Sequence, residues 1–145
     1  MSHEFRRVQH KVIFSAMKTG TWQDGLAHNI EGQIAYNRVE VNEGNGFNKF
    51  NGRFTAPVSG IYAFTFSGIS GNERSWTVVN VYKNNRLNHE MLDGNKAGDY
   101  NNIGESWIMK LRRGDQIYLE VAHGKLSVGN QDFVHFTGQL LKADD

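Results

Sequence analysis

The densest run of oxygen donors in the chain lies between Asp93 and Asn102, where Asp93, Asn95, Asp99, Asn101 and Asn102 are interleaved with Gly94 and Gly98. Calcium draws its shell of about six to eight oxygens from carboxylates, amide carbonyls and the backbone, so this composition suits it. Asp93, Asn95 and Gly98 match the first, third and sixth positions of an EF-hand loop. The twelfth position is Gly104 instead of a bidentate Glu and no helical pattern flanks the run, which rules the EF-hand out. Two readings stay open: a calcium site of another kind, or a solvated turn of the sort that Asn, Gly and Asp build without a ligand.

A second constellation suits sugars, which are gripped by planar amides or carboxylates and stacked on an aromatic face. Trp22, Asn45, Asn48, Arg74, Tyr100, Asn130 and Asp132 supply those groups in the loops. Of these, Trp22, Arg74, Tyr100, Asn130 and Asp132 form the candidate ligand-binding set. Arg74 or Arg86 can also pair with the carboxylate of an acidic sugar. For each of them ordinary turn chemistry or partial burial is the competing explanation.

No catalytic set accompanies these groups. The chain lacks Gly-x-Ser-x-Gly, a P-loop, Gly-x-Gly-x-x-Gly, His-Glu-x-x-His and the His-x-His of a metal-binding jelly roll, so a binding protein is expected, not an enzyme. The six histidines are scattered, and His135 alternates with Val134 and Phe136, as on a solvent or interface face. Lys110, Arg112 and Arg113 form a small positive cluster that reads as a turn. With 16 Lys plus Arg against 15 Asp plus Glu, the net charge of +1 is too balanced for a nucleic-acid or anionic-membrane partner. No stretch approaches the roughly 18 consecutive apolar residues of a membrane span, so no membrane insertion is expected.

The elements that must position these loops are short strands. Sixteen glycines, one proline and 12% aromatics fit strands joined by tight turns, and the absence of cysteine leaves packing to hold the fold. Tyr62, Phe64 and Phe66 alternate with Ala63, Thr65 and Ser67, giving one wholly aromatic strand face that reads as core or subunit interface. Residues 75–82 are apolar on both faces apart from Asn80, as in a strand packed on two sides or facing a partner subunit. Further strands are expected at 11–17, at Trp107, Met109 and Leu111, at Ile117, Leu119 and Val121, and at Val134, Phe136 and Leu140. Turns are expected at residues 83–86, 113–115 and 124–125. Residues 42–51 look irregular, with Phe47 and Phe50 anchoring them to the core. Many evenly spaced strands predict an all-β sandwich or barrel in one domain.

Asn42, Phe47, Phe54, Gly60, Tyr62, Phe64 and Phe66 fall at the spacing of the signature of complement C1q-like globular domains, which ends in Gly-x-Tyr-x-Phe-x-Phe. The chain therefore resembles that family. Tyr36 stands where the signature usually has Phe, and its hydroxyl needs a partner. Phe14-Ser15-Ala16 resembles the family's first strand, Gly114-Asp115 opens a strand similar to another, and residues 136–141 resemble the closing one.

The resemblance implies a jelly-roll sandwich of two antiparallel sheets, related to tumour necrosis factor and assembling as a homotrimer. It divides the chain into an N-terminal extension (1–9), the globular domain (10–141) and a tail (142–145). It also implies a secreted, stalkless recognition protein for carbohydrate or microbial surface ligands, with a cytokine-like ligand for a protein receptor as the alternative. Calcium, bound in relatives by acidic loop residues near the trimer axis, would here fall to Asp93 and Asn101.

Overall fold

The computed structural model describes residues 10–19, 28–70, 76–94, 101–128 and 132–145, leaving out the side chains of residues 28–31, 128, 132 and 133. It contains eleven strands among the described residues: β1 (Ile13–Thr19), β2 (His28–Gln33), β3 (Arg38–Glu43), β4 (Phe47–Asn48), β5 (Arg53–Thr55), β6 (Gly60–Ile69), β7 (Thr77–Lys83), β8 (Arg86–Asp93), β9 (Asn102–Leu111), β10 (Gln116–Val128) and β11 (Asp132–Ala143). They form two antiparallel sheets, and no helix occurs among the described residues. The inner sheet runs β3-β1-β11-β6-β9, and the outer sheet runs β4-β5-β10-β7-β8, with β2 also paired to β10.

Period-two alternation selects what fills the space between the sheets. Along β6, Tyr62, Phe64 and Phe66 point inward and are essentially inaccessible, while Thr65 and Ser67 are exposed. Phe14 and Phe136 from the inner sheet meet Phe47 and Phe54 from the outer one, with the Phe14 ring centroid 4.9 Å from those of Phe47, Phe54 and Phe136. Such aromatic pairs contribute about 0.5–1.5 kcal/mol each beyond the area they bury. Gly138 makes the interdigitation possible, since a Cβ there would lie 2.4 Å from the Phe14 ring and 2.8 Å from that of Phe64.

The turns follow from side-chain chemistry. Asn84 and Asn85 both adopt left-handed conformations (φ 52° and 66°), the type I′ geometry that matches strand twist in a two-residue hairpin. Asn42 closes the β3–β4 loop by donating to the Phe47 carbonyl (2.8 Å) and accepting from its amide (3.1 Å). The signature asparagine is thus a loop staple that presents Phe47 to the core.

Several expectations need correction. Residues 42–51 are not wholly irregular: Asn42 belongs to β3, and Phe47 and Asn48 pair with Phe54 and Arg53. Phe47 is buried, but Phe50 is 92% exposed, because the Asn48 side chain caps its amide in the following turn and holds residue 50 at the tip. Gly124 and Lys125 do not end a hairpin. They sit inside β10 where its registers with β2 and β7 slip, and Gly124 absorbs the bulge with φ 72°. The last strand continues through Lys142 and Ala143, still paired with Ile61 and Gly60.

Tyr36 also departs from expectation. It is 3% exposed and its hydroxyl has no hydrogen-bond partner, and burial raises its pKa well above the ordinary tyrosine value. Tyr62, equally deep, satisfies its hydroxyl on the Val58 carbonyl at 2.6 Å. An orphaned buried hydroxyl costs about 1–3 kcal/mol. Tyr36→Phe should therefore raise stability by roughly 1 kcal/mol or more in urea unfolding, whereas Tyr62→Phe should not, and a loss of stability in Tyr36→Phe would mean that the hydroxyl is bonded after all.

Candidate functional site

The segments expected to carry ligand chemistry are all bounded by strand ends that gather at one end of the sandwich. Thr19 pairs with Asp132, and Val128 with His28. Ser70 bridges Leu126 and holds Asn101 through both backbone groups, donating its amide to the Asn101 carbonyl (2.7 Å) and accepting the Asn101 amide on its hydroxyl (3.2 Å). Thr77, opposite Asp93, donates its hydroxyl to the Lys125 carbonyl. The described residues that flank positions 20–27, 71–75, 95–100 and 129–131 in the sequence therefore share a single rim. Trp22, Arg74, Tyr100 and Asn130 lie outside the described residues. Asp132 is placed by its backbone at the start of β11, and its side chain lies outside the description.

Of the two metal candidates, Asp93 is partly buried at the end of β8, and Asn101 precedes β9 with its backbone committed to Ser70. Both lie at the rim, Asp93 at the end of β8 in the outer sheet and Asn101 just before β9 of the inner one. Among the described residues no group of three or more His, Asp or Glu side chains is gathered to hold a metal ion. The described residues thus offer only part of a calcium shell at this position.

Below the rim, Ser67, Gly104, Asn102 and His135 line a shallow depression of about 580 Å³ on the outward face of the inner sheet. His135 faces outward from the inner sheet, opposite Ser67 and Met17, the kind of face the alternation predicted. The rest of that face is composed of small and uncharged groups. One row across the sheet reads Val41, Ser15, Thr137, Thr65, Ser106, and the next reads Ile13, Gln139, Ala63, Ile108. Thr65 and Ser106 bond each other at 2.8 Å, and Ile108 is 67% exposed. Charges enter only at the margins, with Arg38 and Glu43 on β3 and Lys110 and Lys142 flanking Ile61.

The opposite end gathers charges of both signs. Lys83, Lys110 and Arg112 surround a cleft of about 630 Å³ that also contains Asn84, Asp115 and Asp144. The cluster of Lys110, Arg112 and Arg113 read from the sequence as a turn is thereby joined by Lys83 of the neighbouring hairpin. Asp115 is the keystone of this end: its carboxylate accepts from the Asn84 side chain and the Arg112 amide, both at 2.8 Å, and lies 3.9 Å from the Lys83 ammonium. Burial raises its pKa, but those hydrogen bonds and the Lys83 and Arg112 charges outweigh burial and hold it below the ordinary carboxylate value. Sequence reasoning also missed Arg53, whose guanidinium lies over the Tyr118 ring (4.1 Å), while Tyr82 stacks on Tyr118 with ring centroids 5.1 Å apart. Nothing local signals that stack, because its members come from three separate strands.

A family model described as the C1q domain matches residues 13–141. The human protein named complement C1q tumor necrosis factor-related protein 3 is 34% identical over 108 residues, which is 74% of this chain but 44% of that protein, so the chain spans less than half the length of that relative. In fold, the chain is similar to the globular domain of zebrafish complement 1qA protein, with a TM-score of 0.72, 19% identity and coverage of 92% of this chain and all of that one. It is also similar to the Eiger tumour necrosis factor of S. frugiperda, with a TM-score of 0.71, 6% identity and coverage of 94% and 96%. Both are likenesses of fold.

The depressed Asp115 pKa has a direct consequence for stability. Its contribution is complete above the ordinary carboxylate pKa of about 4 and is lost as pH falls through the lower folded value. The stability difference between the wild type and Asp115→Asn should therefore be constant from about pH 5 to pH 8 and shrink below about pH 4 in thermal unfolding. A difference that stays constant into strong acid would show that the carboxylate is not the stabilising species.

Proposed function

This chain belongs to the C1q domain family, and from that premise we propose that it is a secreted homotrimeric recognition module that binds carbohydrate or microbial surface ligands through the loops of one rim. The observation that carries the proposal is the open face of the inner sheet. A solvated sheet face is ordinarily studded with charge, yet this one is uncharged across its centre and exposes Ile13, Val41 and Ile108. Burial against copies of the same chain explains it, and the family expectation supplies the threefold arrangement.

Three copies would present three identical rims. The sequence segments between the strand ends of that rim contain Trp22, Arg74, Tyr100 and Asn130, and β11 begins at Asp132; together these supply the amide, carboxylate, guanidinium and aromatic groups that sugars require. Single contacts of this type are weak, and threefold repetition raises avidity by roughly 10²–10⁴ where ligand spacing allows simultaneous engagement. Calcium at Asp93 and Asn101 belongs to the same proposal, as an ion bound at the rim. We assign binding and not catalysis, because no acid, base or nucleophile set was found in the sequence.

The test combines light scattering with a glycan array. The wild type should have three times the chain mass and show sugar-competable binding. Ala63→Arg, which places a cation at the centre of the open face, should be monomeric, bind free sugar as before and lose at least about 10²-fold in binding to repetitive glycan surfaces. A monomeric wild type would overturn the assembly. A trimer without competable glycan binding would transfer the function to a protein receptor.

A further inference from the structure

On the outward face of the outer sheet, three strands place Glu90, Asn80 and Glu120 side by side. Asn80 of β7 pairs with Glu90 of β8 on one flank and with Glu120 of β10 on the other. Strand alternation directs Thr77, Val79 and Val81 into the core and therefore turns Asn80 outward, into the row. Directly paired residues bring their Cβ atoms to about 5 Å, so both glutamates reach the space above the central amide.

Two features of this row are physically uncomfortable as they stand. Asn80 is only 9% exposed, and its side-chain Oδ1 is buried without a hydrogen-bond partner. Buried acceptors in folded proteins are satisfied by protein, water or an ion. Among the described residues, neither glutamate forms an ion pair, and the cross-strand neighbours of the row include neither lysine nor arginine: Val78, Leu92 and His123 lie on one side, Tyr82, Leu87 and Tyr118 on the other. Two carboxylates therefore flank an orphaned carbonyl oxygen with no ion-pair partner among the described residues, and like charges this close repel.

We propose that Glu90, Asn80 and Glu120 form a calcium site on the outer sheet. A hard divalent cation resolves both defects at once, because it takes carboxylate and amide oxygens and discharges the pair. Among the described residues no ammonium or guanidinium group pairs with either glutamate, and soft metals prefer sulfur or imidazole, which the row itself lacks. Two carboxylates and one carbonyl on an open sheet, with water completing the shell, correspond to the weak affinity of extracellular modules, about 10⁻⁴–10⁻³ M. This site is separate from the rim and does not involve Asp93 or Asn101. By joining β8, β7 and β10 it would clamp the sheet edge on which β8 lies.

Calcium-dependent thermal unfolding of the full chain, without any sugar, tests the site. Wild type and Asp93→Asn should both gain stability across about 0.1–10 mM calcium, whereas the Glu90→Gln/Glu120→Gln variant should fold but lose the response, with at least tenfold weaker apparent affinity. Terbium emission sensitised by nearby tyrosine should follow the same pattern, since Tyr82 and Tyr118 lie one row away. A wild type without a calcium response overturns the proposal. So does a response that survives in Glu90→Gln/Glu120→Gln and disappears in Asp93→Asn, which would place the ion at the rim. Neither outcome bears on sugar binding, which the glycan array reads separately.

Discussion

The fold depends on one aromatic contact between sheets: Phe14, held by β1, lies against Phe47 and Phe54 from the opposite layer and against Phe136 beside it. With no cysteine in the chain, no disulfide ties the sheets together. Rings are well suited to the task, since each buries a large area at low entropic cost and constrains the orientation of its neighbours. Deleting one would leave a cavity that the rigid rings around it fill poorly. Gly138 and Asn42 serve this cluster, the first by vacating space for two rings and the second by stapling the loop that delivers Phe47.

With the interior filled by rings, the recognition chemistry is confined to the two sheet faces and the two ends. Each is different. The inner face is uncharged at its centre, and the outer face carries the Glu90–Asn80–Glu120 row beside the Arg53–Tyr118 stack. One end is a rim of strand ends, and the other is a charged cleft braced by Asp115. A net charge of +1 hides this partition, because charge balance over the chain says nothing about balance over a surface.

Sequence reading and structure part at identifiable places. Period two located β6, β9, β10 and β11, because large apolar residues there recur at every second position, and a run apolar on both faces located β7. It missed β2, whose run of His28, Asn29, Ile30, Glu31, Gly32 and Gln33 has a single aliphatic residue. It mistook Gly124 for a turn, since a glycine with positive φ serves a bulge as well as a hairpin. It credited Phe50 with burial because residue type alone suggests it, whereas the Asn48 cap exposes the ring. The hydroxyl of Tyr36 was expected to find a partner, and the close-packed rings around it leave none.

The amino-acid sequence by itself determined the class, the family and the identity of the core, because local alternation and the spacing of the signature aromatics are properties of neighbouring residues. It also nominated the rim residues by chemical type. Tertiary structure alone decided which groups share a surface. Ser15, Ala63, Ser106 and Thr137 are unremarked singly and become one uncharged face only through the register of four strands. Glu90, Asn80 and Glu120 likewise meet only because β8, β7 and β10 are aligned residue by residue. Strand pairing joins segments distant along the chain, and that long-range register is set by how the aromatic core packs and not by any local pattern.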